Sequence, residues 1–87
     1  MKFREDYGVF CCEHIFNRER KVKLIVRDDG YQFLCGEDDI ENSEPKFVGI
    51  YYILEYQPEI ENIALNLKEM TLAYKDENDI WKVENVE

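Results

Sequence analysis

Apolar positions along this chain follow two periods, and the switch between them predicts its elements. Up to Gly36 the apolar residues alternate or run together, the pattern of strands. Residues 7–12 (Tyr-Gly-Val-Phe-Cys-Cys) are β-favouring and predict a first strand. Residues 13–20 read as a polar connection from which Ile15 and Phe16 tuck back against the core. Residues 21–27 alternate, with Val22, Leu24 and Val26 on one face and Lys21, Lys23, Ile25 and Arg27 on the other, which predicts a half-solvated antiparallel strand. Asp28-Asp29-Gly30 is hairpin-turn chemistry, with the glycine expected at positive φ. The partner strand follows over residues 31–35, with Tyr31, Phe33 and Cys35 on one face.

Residues 36–46 carry Glu37, Asp38, Asp39, Glu41 and Glu44 with little apolar content, and predict a loop. From Phe47 the period becomes helical: Ile50, Ile53 and Leu54 fall at i, i+3 and i+4. Gln57-Pro58 ends that helix, because proline disfavours helical backbone at the residue before it. Pro58 suits the first turn of a second helix, where Ile60, Ile63, Ala64 and Leu67 line one face. Residues 70–75 and 80–84 predict a closing hairpin about the polar tetrad Asp76-Glu77-Asn78-Asp79, with Leu72 and Tyr74 opposite Trp81 and Val83. The expected fold is α+β: one domain over residues 1–87, a five-stranded, mainly antiparallel sheet in the order β-β-β-α-α-β-β, and helices on one face.

Composition narrows the function classes. Eighty-seven residues with 45% hydrophobic and 14% aromatic content support one thin core, not a disordered tail. Twenty acidic against eleven basic residues leave a net charge of −9, which repels nucleic-acid phosphates and anionic lipid headgroups and favours a basic partner. Nucleic-acid and membrane binding are therefore not expected. The charged opening Met1-Lys2-Phe3-Arg4-Glu5-Asp6 lacks the apolar core of a signal peptide, and three cysteines form no complete disulfide framework, so the expected compartment is the reducing cytoplasm.

Cys12, His14 and Cys35 are the one set of soft-metal ligand types, but zinc sites usually recruit four ligands in close pairs, and Cys35 stands alone in sequence. Buried cysteines acting as small hydrophobes are the expectation, with no metal or cofactor. A cysteine nucleophile needs a positive setting, which Cys11 and Cys12 beside Glu13 do not offer, and no catalytic residue is assigned. The acidic segment lacks the alternating oxygen ligands and mid-loop glycine of a calcium loop, leaving a solvated or partner-facing surface. Tyr52 and Tyr56, spaced i, i+4 at the rim of the first long helix, form a second candidate patch, since tyrosine is enriched at interface hot spots.

The order of features resembles a bacterial family of small domains classed as immunity proteins of polymorphic toxin systems. The likeness spans about residues 9–81. It rests on Tyr31-Gln32-Phe33-Leu34-Cys35-Gly36-Glu37-Asp38, on Gly49-Ile50-Tyr51, on Gln57-Pro58-Glu59-Ile60 and on Trp81. The family usually has Ser-Gly-Trp at Asp29-Gly30-Tyr31 and Asp at Gln57, and the connection between Ile15 and Asp28 is shorter here. The resemblance implies a non-enzymatic protein that neutralises a cognate toxin. Charge makes occlusion the expected mechanism: Glu37, Asp38, Asp39, Glu41 and Glu44 dock into a basic groove such as that of a nuclease, and Tyr or Trp side chains, with Tyr52 and Tyr56 the candidate patch, supply the anchors. Two other functions fit the residues: a self-associating regulatory or scaffold module, and a small hydrolase using carboxylates and His14.

Overall fold

In a computed structural model of the chain, residues 3–4, 6–36 and 44–85 are described. The elements are β1 (Gly8–Cys11), α1 (Glu13–Phe16), β2 (Leu24–Arg27), β3 (Tyr31–Leu34), β4 (Lys46–Gly49), α2 (Ile50–Tyr56), α3 (Ile60–Leu65), β5 (Thr71–Lys75) and β6 (Trp81–Asn85). The six strands form one mixed sheet in the order β4-β1-β3-β2-β5-β6, and the domain is a small α+β fold.

Strand alternation decides what the sheet buries. The register aligns Cys11 with Phe33, Phe33 with Ile25, and Ile25 with Ala73, a row across four strands that is wholly buried. This is the helix-covered face, because Tyr31, two residues before Phe33, donates its hydroxyl to the Ala64 carbonyl of α3 at 3.1 Å. From the helices, Ile50, Ile53, Leu54, Ile60 and Ala64 complete the core. Burial of Phe33 alone contributes about 2–3 kcal/mol. The opposite face carries Phe10 aligned with Gln32 and with Phe47.

Gln57 closes the structure between sheet and helices. It sits at the C-cap of α2 and is 1% exposed. Its Oε1 accepts from the Val22 N–H at 2.8 Å and its Nε2 donates to the Val22 carbonyl at 3.3 Å. One side chain thus satisfies both backbone groups of a buried residue that leads into β2. The expected helix break at Gln57-Pro58 is present, and Ile50, Ile53, Leu54 and Ile60, Ala64, Leu67 are buried as the spacing requires, while Ile63, expected on the same face, is only partly buried.

Several expectations are corrected. The sheet has six strands, not five: Lys46–Gly49 pairs antiparallel with β1 where a helix start was expected, and Gly49, at φ −69° and ψ 145°, holds the extended backbone before α2 begins. Aromatic and β-branched Phe47 and Val48 favour that strand. The polar connection contains α1, so the described residues hold three helices; Ile15 is buried as expected, but Phe16 is 37% exposed. The sheet is mainly antiparallel as expected, with one parallel pair, since β3 lies between β1 and β2 and runs parallel to β1. Ile25, placed on the charged face by alternation, faces the core.

The turns also differ. Gly30 is not at positive φ; the β2–β3 turn is closed by Asp28, whose Oδ1 accepts from the Gly30 N–H at 3.3 Å. In the last hairpin Lys75 aligns with Trp81, Tyr74 with Lys82 and Leu72 with Glu84, so Trp81 and Val83 do not oppose Tyr74 and Leu72. The cause is Asp79, at φ 62°, which adds one residue to the turn and moves the register by one.

Candidate functional site

Both ends of the acidic segment are tied to one end of the sheet. Cys11 aligns with Lys46 at the start of β4, and β1 and β3 run parallel, so the exits of β1 and β3 and the entry of β4 share that end. Glu37, Asp38, Asp39 and Glu41 lie outside the described residues. Glu44 is exposed, with Lys46 Nζ at 3.9 Å.

Tyr52 and Tyr56 lie on α2 and are half-buried. Tyr52 donates its hydroxyl to the Phe16 carbonyl at 2.5 Å and Tyr56 to the Arg18 carbonyl at 3.4 Å. The Arg18 guanidinium lies 4.7 Å from the Tyr52 ring centre and 5.8 Å from that of Tyr56, and donates to the Tyr52 carbonyl at 3.2 Å. The pair therefore staples the exit of α1 to α2, with the ring edges left at the surface. This contact lets Arg18 hold its left-handed backbone at φ 58°.

The other end of the chemistry is a cluster that strand alternation alone could not assemble. Cys12 follows β1 and caps α1 with extended backbone, its N–H donating to the Phe33 carbonyl at 3.3 Å, so the β1–β3 pairing carries one residue past the strand. His14 is the second residue of α1. Cys35 follows β3 directly. The two Sγ atoms and one ring nitrogen lie within 4.8 Å of one another, with Cys35 Sγ 3.5 Å from His14 Nδ1. Cys12 is 1% and Cys35 8% exposed, while His14 is half-buried. Arg20 directs Nη1 at Cys35 Sγ, 3.8 Å away. A cleft of about 450 Å³ lined by Arg20, Lys21, Lys23 and Cys35 opens beside it.

Cys35 thus has a positive setting, of the kind that a reactive or metal-bound thiolate needs. Cys11 is the opposite case: wholly buried on the core face, its thiol is pushed up to about 11 by desolvation. The basic wall of the cleft was missed in the sequence. Its signal was available, since Arg18, Arg20, Lys21 and Lys23 put four of the chain's eleven basic residues into six positions of a strongly acidic protein.

The opposite sheet face has its own feature at the β1–β4 edge. Phe10 and Phe47 are 45% and 67% exposed and pack edge to face at 5.1 Å across the β1–β4 edge. The Phe47 ring also covers Gly8, where an added Cβ would lie 2.1 Å from its Cζ. No protein-family model, curated protein or solved structure matches this chain. Among the described residues no helix is long and apolar enough to cross a membrane.

Proposed function

We propose that this protein is a non-enzymatic binding domain whose partner is a basic protein, in the manner of an immunity protein that neutralises a cognate toxin in the cytoplasm. The observation that carries the reading is the net charge of −9 on 87 residues, with Glu37, Asp38, Asp39, Glu41 and Glu44 concentrated in one connection. Such a field steers a basic partner, a nuclease toxin being the chemically apt case, and repels its nucleic-acid substrate. Phe10 and Phe47, exposed at the β1–β4 edge, add apolar area for a desolvated anchor, and Tyr52 and Tyr56 offer a rigid aromatic rim.

The test is the association rate with a basic nuclease toxin, sought first among the products of neighbouring reading frames and measured by stopped flow at rising ionic strength. Raising salt from about 50 to 500 mM should slow association at least tenfold. Converting the five carboxylates to their amides should flatten that dependence. A salt-insensitive rate, or unchanged affinity after neutralisation, overturns the reading. Self-association is the second reading, favoured by Phe47, Ile80 and Val83, exposed at or beside the two edge strands β4 and β6. Light scattering after gel filtration separates the two, since only self-association gives a dimer without partner.

A further inference from the structure

We infer that Cys12, His14 and Cys35 form a binding site for a thiophilic divalent ion of the zinc class, with a fourth position open to the cleft walled by Arg20, Lys21 and Lys23. The inference is independent of the partner-binding reading. Zinc bonds are about 2.3 Å to sulfur and about 2.0–2.1 Å to imidazole nitrogen, so a tetrahedral ion holds its ligand atoms about 3.5–3.8 Å apart. The Cys35 Sγ to His14 Nδ1 distance of 3.5 Å already meets that requirement. The widest separation in the trio is within 4.8 Å, so closure takes about 1 Å, within reach of a cysteine side-chain rotation.

Position supports the geometry. The three ligands come from the ends of two adjacent parallel strands and the first turn of α1, so the backbone that carries them is fixed by the sheet and not by a free loop. Two thiolates and an imidazole select a soft or borderline ion over magnesium or calcium. Binding exchanges the two thiol protons for the metal, releasing both to solvent, and a water completes the coordination. The resulting centre is formally neutral. The Arg20 guanidinium at 3.8 Å from Cys35 Sγ then acts as an outer-sphere donor to a metal-bound thiolate, and Lys21 and Lys23 leave the open position suited to an anion rather than a cation.

Cobalt(II) titration of the full chain under a non-thiol, non-chelating reductant reads the site directly. We expect one ion per chain, a thiolate-to-cobalt charge-transfer band with the visible absorption of a tetrahedral ion, and displacement by one equivalent of zinc. Zinc should also raise the melting temperature. Cys35→Ser and His14→Gln should each weaken binding at least tenfold, Arg20→Gln should weaken it roughly tenfold or more with the band shape unchanged, and Cys11→Ser should leave the titration unaltered. Cys12 is buried, so Cys12→Ser tests both fold and site; Cys35→Ser, at the cleft, and His14→Gln, at a half-buried position, carry the result once circular dichroism shows a native spectrum. Absence of the charge-transfer band in the wild type, its survival in Cys35→Ser, or its loss in natively folded Cys11→Ser overturns the inference.

Discussion

Replacing Gln57 with leucine keeps the branch at the end of the side chain, one atom shorter, and removes the amide of a side chain that is 1% exposed. Val22 then loses the acceptor for its N–H at 2.8 Å and the donor to its carbonyl at 3.3 Å, and neither position admits water readily, since Gln57 is 1% and Val22 0% exposed. Each orphaned buried backbone group costs about 1–3 kcal/mol. Leucine recovers about 1–2 kcal/mol because an apolar group is cheaper to bury than an amide. The net loss is about 1–4 kcal/mol, a large part of the roughly 5–15 kcal/mol that holds such a domain. At about 4–8 °C per kcal/mol for a chain of this size, the melting temperature should fall by roughly 4–30 °C.

Urea unfolding followed by far-ultraviolet circular dichroism measures the change, with an unaltered slope confirming the same two states. Gln57→Glu supplies the second arm. A carboxylate there accepts from the Val22 N–H but faces the Val22 carbonyl with a second acceptor, so burial and that contact raise its folded pKa above the unfolded value of about 4.3. The protonated acid restores the donor. Its stability is therefore fully present below the unfolded pKa and is lost as pH rises through the folded one. A Gln57→Leu loss under about 1 kcal/mol, or a Gln57→Glu deficit that does not grow between about pH 4 and 8, would refute the account of Val22 as a residue held by this amide.

Met70 sits at φ 60° and is 45% exposed, so Met70→Gly should stabilise the protein by about 0.5–1 kcal/mol, the left-handed strain relieved less the entropy glycine adds to the unfolded chain; chemical denaturation checks the sign. Asp76 is held below the usual carboxylate range, first by the N–H of Ile80 and also by that of Asn78 and by Lys82. Its contribution is present above the unfolded pKa and disappears as pH falls through the lowered folded value, so Asp76→Asn should flatten the acid limb of the pH–stability curve, and an unchanged limb would contradict the turn geometry. Cys11, with its thiol pushed up to about 11, should resist iodoacetamide at about pH 8 in the native protein and react in urea; mass spectrometry of the labelled peptides decides it.

Periodicity reported the elements well where one face is buried and the other wet. Ile50, Ile53 and Leu54 on α2 and Ile60, Ala64 and Leu67 on and after α3 are cases in which the spacing alone names the core. It misreported residues 21–27 because β2 is an inner strand: Leu24 and Ile25 are adjacent, point to opposite faces and are both buried, so alternation carries no information about which face meets the helices. Pairing was less legible still. Nothing local states that β1 lies beside β3 and parallel to it, and that one long-range fact brings Cys12 and His14 to Cys35, 21 residues from His14 in sequence. The Trp81 register was lost to a single backbone angle at Asp79, a residue whose side chain tolerates the left-handed region without announcing it.

Range separates the two proposals physically. The net charge acts on a partner over distances that salt screens within about 8 Å at physiological ionic strength, whereas Cys35 meets the Arg20 guanidinium at 3.8 Å, inside any such screening length. An acidic chain can therefore hold a locally basic thiol cluster, and the acidic field that steers association leaves the ligand set intact. Added salt should then slow partner association steeply while zinc affinity moves little, and neutralising the five carboxylates should likewise slow association while leaving zinc affinity unchanged. A zinc affinity that collapsed along with the association rate would instead mean that the acidic connection belongs to the metal site, and the two readings would become one.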